Sequence, residues 1–353
     1  MASDGAAGFR FTVLNPGGHD PEQYFDERIA ASMAHPPINF HAFAACTGGS
    51  FQRKVKNAIA EQTPVLLLIR GDFKATERAL NELKQQNRTV AVSLKETGLH
   101  QIANQLRDSV NLARFLRIVN AADGCIATTP ESVAIYREAR REHGPATVDF
   151  IPTPYPIDDG QWNFAVSPKE QSGIFIGTRE WDVPSRNHLA ALLLARELCY
   201  ATSEPVTVFN LDGRKGEKML SELKIPARKL RVIERRKPYR DYLSEVAKHK
   251  IVLQLDRSRV PGQVAGDALL GRTTCVGGDG ATERIAFPSF CAEGRTTEQL
   301  RAIALELLNN PNARATAIVE SQGRATERLS FQAVRSQLEA FFARIGTKAT
   351  SAH

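Results

Sequence analysis

The polarity pattern has two rhythms. Apolar runs without a polar alternation stand at residues 9–14, 38–46, 65–69, 89–94, 124–127 and 148–151, and between them lie stretches of helical period, the clearest at 73–86. Strands that do not alternate in polarity are covered on both faces, and strands separated by helices of about 10–15 residues argue for a parallel sheet. The spacing predicts a strand over each run. It also predicts a helix starting at Ser50 after the turn Thr47-Gly48-Gly49, and another after Thr129-Pro130-Glu131, whose Thr and Pro are helix-start signals.

The same rhythm resumes further on, with strands expected at 173–176, 206–209, 230–233, 251–255 and 273–276 and helices at 187–200, 217–223, 239–247 and 263–270. Between the two series stand Pro152, Pro154 and Pro156, which can continue neither a helix nor a central strand. A linker over 152–160 follows. The expected organisation is an N-terminal domain at 1–155, a second at 156–330, and a terminal helix with its tail at 331–353. In that helix Phe331, Val334, Leu338, Phe341, Phe342 and Ile345 share one face.

Composition narrows the class. At 353 residues, 42% hydrophobic and 24% charged, the chain suits two globular domains of about 150 residues each. No apolar run nears the ~20 residues that cross a bilayer, and the N-terminus lacks a charged leader, so the chain reads as cytoplasmic. Five cysteines without a C-x-x-C pair read as reduced core residues. A net charge of +7 and a pI near 9.2 favour an anionic partner or reflect only a mildly basic surface. Neither a phosphate loop, a G-x-S-x-G elbow nor an Asp-x-Asp metal–diphosphate signature is found. Gly278-Asp279-Gly280 opens like a dinucleotide fingerprint, but Glu283 stands where its last glycine belongs.

Chemistry concentrates at 251–288. There an apolar strand leads through a polar loop to Gly262, a helix runs to Gly271, and a second strand ends in Gly277-Gly278-Asp279-Gly280 with Glu283 beyond. Such an arrangement aims backbone N–H groups and helix N-termini into one crevice, where the natural guest is a phosphate. Gly262, Asp267-Ala268, Gly271 and Glu283 together resemble the donor-binding end of the GT-B glycosyltransferases, in particular the retaining family 4-like (group 1) enzymes. One feature departs: Arg259 stands eight residues before Asp267, where that family usually has Glu.

The resemblance implies an α/β, GT-B-like fold of two doubly wound Rossmann-like domains facing across a cleft. It implies transfer of a sugar from a nucleotide-diphosphate donor such as a UDP-sugar, with retention and without a metal or a further cofactor. The donor contacts it points to are Gly17 and Gly18 after the first strand, Arg179 and Arg186 as a cationic pair on the diphosphate, and Arg259, Gly262, Gly280 and Glu283. Ser185 would cap the helix behind Arg186, and Glu283, as an ionised carboxylate, would accept hydroxyl hydrogen bonds. His100, with Glu96 as a possible base, and Asp267 are the catalytic candidates; His19 and His41 are weaker ones. Each also has a plain reading, as a turn glycine, a surface arginine or a helix N-terminal acid. The acceptor stays open among glycan, lipid, protein and DNA, with peripheral membrane contact one option. Two other functions share the fold: a catalytically silent nucleotide-sugar-binding protein and a nucleotide-sugar 2-epimerase.

Overall fold

The computed structural model describes residues 9–17, 38–71, 73–178, 180–211, 213–214 and 216–350. It divides into two compact units, one formed by Met1–Tyr155 with Ser330–His353 and the other by Pro156–Leu329.

The first unit runs β1 (Thr12–Leu14), α1 (Asn39–Thr47), β2 (Ser50–Gln52), α2 (Val55–Ala60), β3 (Val65–Ile69), α3 (Lys74–Gln85), β4 (Val90–Leu94), α4 (Leu99–Leu106), α5 (Ser109–Ala121), β5 (Gly124–Ala127), α6 (Pro130–Ala139) and β6 (Val148–Phe150). The second runs β7 (Ile174–Thr178), α7 (His188–Thr202), β8 (Val206–Asn210), α8 (Glu217–Glu222), β9 (Leu230–Ile233), α9 (Tyr239–Ala247), β10 (Ile251–Leu253), α10 (Gln263–Leu270), β11 (Thr274–Val276), α11 (Ala281–Ala286), α12 (Thr297–Asn309) and α13 (Pro311–Leu329). The last helix, α14 (Phe331–Thr350), belongs to the first unit.

Among the described residues the first sheet has six strands in the order β2-β1-β3-β4-β5-β6, and every pairing is parallel. The period of two puts alternate residues on opposite faces. Leu67, Ile69, Val90, Val92 and Cys125 pack on α3, α5 and α6. Leu66, Leu68, Ala91 and Ile126 pack with Phe40 and Phe43 of α1 and with Val334, Leu338, Phe341 and Phe342 of α14. Apolar on both faces, such strands read as continuous runs. α6 starts as its sequence signals require, with Pro130 in its first turn and the Thr129 hydroxyl accepting from the Ser132 N–H.

Two expectations fail in this unit. Residues 38–46 are not a strand but α1, and Ser50 opens β2 rather than a helix. A helix clamped between a sheet and another helix is apolar nearly all round and loses the polar face that would betray its 3.6-residue period. Its C-cap, Gly48, is left-handed at φ 60° and donates to the Ala44 and Ala45 carbonyls, turning the chain straight into β2. Close approach continues at β5, where a Cβ on Gly124 would lie 2.8 Å from the Phe341 ring.

The second sheet is also all parallel, in the order β11-β10-β7-β8-β9. Its core gathers Ile174, Ile176, Val206, Val208, Ile251 and Leu253 with α7 and α12. All five cysteines are buried and unbonded, and burial pushes the Cys46 and Cys125 thiols up to about 12, so they stay protonated packing groups.

Candidate functional site

In the second sheet β7 is followed on one side by β8 and β9, and the chain then crosses to place β10 and β11 on the other. The connections after β7 and β10 therefore leave on opposite sides, and the carboxyl ends of those two strands are where sheets of this kind open a ligand crevice. Loops 180–187 and 254–262 meet there. The Arg257 N–H donates to the Ser185 carbonyl at 2.7 Å, the Ser185 and Ser258 hydroxyls lie 2.8 Å apart, and the Asn187 amide donates to the Leu255 carbonyl.

Arg186 sits at this junction. Its guanidinium donates to Glu180 and to Asp256, and burial alone would lower its pKa, but the two carboxylates more than offset that and raise it. Its side chain is 14% exposed, so the fork expected to grip a diphosphate is already engaged by two acids. Ser185 does not cap the helix. Asn187, left-handed at φ 51°, is the N-cap of α7 and makes no side-chain cap bond. Arg179 and, in the other unit, Gly18 and His19 lie outside the described residues.

Glu283 is the centre of the second loop system. It is 1% exposed, and the Gln254 amide donates to its Oε1 at 2.5 Å, while Oε2 has no hydrogen-bond partner. Glycines surround it: a Cβ on Gly262 would lie 2.1 Å from Oε2, one on Gly280 2.5 Å from Oε2 and one on Gly278 2.9 Å from Oε1. Burial, helped by Asp256 and Asp279 and opposed by its own backbone N–H and Arg284, raises its pKa to about 8. This corrects the expectation of an ionised acceptor. At neutral pH Glu283 is a carboxylic acid with one proton to donate.

The helix N-termini differ as well. The Ala281 and Thr282 N–H groups at the start of α11 donate to the Val260 and Pro261 carbonyls, so this end is satisfied by the β10–α10 loop. α10 instead opens at Gly262, left-handed at φ 92°. Arg259, also left-handed at φ 51°, lies beside Asp279, with its Nε 3.5 Å from Oδ2 and its N–H on Oδ1. Arg259 is thus a cation held by the glycine turn.

Asp267, one turn into α10, faces elsewhere. The Tyr239 hydroxyl and the Gln263 amide donate to its Oδ1 at 2.6 and 2.7 Å, and it is 3% exposed. Burial raises its pKa to about 6 against those hydrogen bonds. Both bonds fall on Oδ1, and the one from Tyr239 joins α10 to α9. Tyr239→Phe should remove one charge-assisted bond, cost roughly 1.5–3 kcal/mol above pH 6, and raise the Asp267 pKa further. Denaturant midpoints at pH 5 and pH 8 check this; an equal loss at both would refute it.

In the first unit the switch falls between β1 and β3. Asn15, at the end of β1, is fully buried, and neither side-chain amide atom has a hydrogen-bond partner. Gly17 follows, left-handed at φ 66°, with α3 close by. His100 is exposed on the first turn of α4 and meets the Asn104 amide at 3.0 Å. Glu96 is half-buried, and no hydrogen bond joins it to His100. His41 is buried and stacks on Phe51.

Sequence reasoning missed Gln254, Asp256, Glu180 and Asn15. The available signal was position: Asn15, Gln254 and Asp256 are polar residues directly after apolar strands. Among the described residues no cluster of three His, Cys, Asp or Glu is disposed to hold a metal ion, and no helix is long and apolar enough to cross a membrane.

Two parallel-sheet, Rossmann-like units of this kind define the α/β, GT-B-like fold. The chain matches no protein-family model and no curated protein. It is similar in structure to HepE of Anabaena, solved in complex with UDP-glucose, at 12% identity and a TM-score of 0.61 over 95% of this chain and 99% of that one. It is likewise similar to an α,α-trehalose 6-phosphate synthase from Burkholderia multivorans, at 10% identity and a TM-score of 0.63 over 97% and 100%. A putative UDP-N-acetylglucosamine 2-epimerase from Listeria monocytogenes aligns at 12% identity and a TM-score of 0.52 over 94% and 95%. At such identities the likeness is one of fold.

Proposed function

We propose that this protein is a glycosyltransferase that takes a sugar from a nucleotide-diphosphate donor, with retention and without a metal. The observation that carries the reading is the glycine cradle of Gly262, Gly278 and Gly280 around Glu283 at the switch-point crevice. Glycines let backbone approach a ligand closely, and a buried acid with an unsatisfied oxygen is ready for a hydroxyl. Structures of this fold that bind UDP-glucose support a UDP-sugar as donor. In this reading Gly262, Gly280 and Glu283 hold the nucleoside or sugar, and Arg179 and Arg259 supply charge to the diphosphate with Arg186 anchoring the loop. Gly17 and Gly18 are further donor contacts in this reading, and His100 with Glu96 as base supplies the proton chemistry. Catalysis then comes from positioning and from stabilising the departing diphosphate with preset charge.

Two features favour a second reading, a binding protein without turnover. Asp267 is tied to Tyr239 and Gln263, and Arg259, where the resemblance expects an acid, lies against Asp279. UDP-glucose titrated by calorimetry, followed by UDP release in EDTA and in magnesium, separates the two. Binding with UDP release in EDTA is expected, and Arg179→Ala should weaken UDP binding roughly 10- to 150-fold. Binding without release would leave the silent reading, and absence of any nucleotide binding would sink both.

A further inference from the structure

The chain's surplus charge is not spread over its surface. Residues 224–240 hold eight Lys or Arg and one acid, a surplus equal to the whole net charge of +7. This segment forms the approach to β9, the edge strand of the second sheet, and the loop beyond it. At the amino ends of β8 and β9 it borders a cavity of about 320 Å³, also walled by the end of α9. The switch-point crevice lies at the carboxyl ends of β7 and β10, the opposite end of the same parallel sheet.

The cavity is built around a buried carboxylate. Glu245 is 3% exposed and meets Arg231 at 2.6 Å, Lys248 at 3.5 Å and Lys237 at 3.7 Å. Burial would raise the Glu245 pKa, but these cations outweigh it and keep the group ionised. Beside it His249, 4% exposed, is fixed between the Glu245 carbonyl and the Thr207 hydroxyl, and burial holds it neutral. One carboxylate needs one partner; three converge on it, and Arg228 and Lys229 add two more cations at the rim. Glu170 lines the cavity as well, so two acids there face Arg228, Lys229, Arg231 and Lys248, and part of the positive charge stays uncompensated.

We propose that this cavity is a second anion site, which takes a small phosphorylated molecule on Arg228, Arg231 and Lys248. Guanidinium forks match phosphate oxygens bidentately, and a lysine adds a point charge. The volume suits a compact phosphate ester or diphosphate at the lower end of ordinary ligand pockets. The site is independent of the donor reading, since it shares no residue with the crevice.

Inorganic pyrophosphate is the probe, and the imidazole NMR signals of His249, assigned by His249→Gln, are the readout. These lie in the cavity wall, so binding in the crevice at the other end of the sheet does not report through them. Pyrophosphate should shift them saturably at one equivalent. Arg228→Ala with Lys248→Ala, both exposed positions that leave Arg231 on Glu245, should weaken that binding roughly 10-fold or more. Arg235→Ala, equally exposed in the same basic segment but outside the cavity, should leave it unchanged. No shift at His249, the same curve for the double variant, or an equal loss in Arg235→Ala would overturn the proposal. The last would mean a diffuse basic surface.

Discussion

Gly277→Ala is expected to destabilise the second unit by roughly 2–5 kcal/mol, a large fraction of an ordinary domain's stability. Gly277 is left-handed at φ 82°, a conformation that costs an L residue about 1–2 kcal/mol. The added Cβ would also lie 1.9 Å from the Gln254 backbone oxygen, and only a backbone shift relieves that, at about 1–3 kcal/mol more. Relief has a direction. Moving residue 254 pulls its amide from Glu283, whose Oε1 it holds at 2.5 Å, so loss of stability and loss of the candidate site should come together. Denaturant unfolding of wild type and variant, read with UDP titration, measures both. A variant within about 0.5 kcal/mol of wild type would show that the turn does not cross Gln254 so closely.

Glu283→Gln should do the reverse to stability at high pH. In the unfolded chain the group ionises near 4.5, whereas in the fold it keeps its proton up to about 8. Between those values the native state binds the extra proton. Its stabilising contribution is therefore complete below about pH 4.5 and is lost as pH rises through 8. At about 1.4 kcal/mol per unit, a window of this width amounts to something on the order of 3–5 kcal/mol for so buried a group. Glutamine keeps the shape and the acceptor for Gln254 but cannot ionise. The variant should match wild type near pH 5 and exceed it at pH 8.5 by up to that amount, while donor binding weakens because the acidic proton is gone. Unfolding midpoints across pH 4.5–9 decide it; parallel curves for the two proteins would mean that Glu283 is already ionised in the fold.

The sequence by itself determined the parallel, doubly covered sheets, because a strand apolar on both faces needs no partner to be recognised. Val65–Ile69, Gly124–Ala127 and Leu230–Ile233 fall where their apolar runs end, and α6 starts where Thr129 and Pro130 say it must. It also marked the glycine turn with its acid at Glu283, since left-handed and close-approach positions leave glycine as a local trace. Where burial came from distant chain, the pattern misled. α1 reads as a strand because α14, almost 300 residues on, covers the face that would otherwise be polar. Only the tertiary structure decided the chemistry of the site. Strand order set β10 beside β7, and that alone brought Asp256 to Arg186 and Ser258 to Ser185. Burial turned Glu283 from an expected carboxylate into an acid, and a tyrosine from α9 claimed Asp267. Protonation and pairing depend on desolvation and on charges within a few ångströms, and neither quantity is written in the order of residues along a chain.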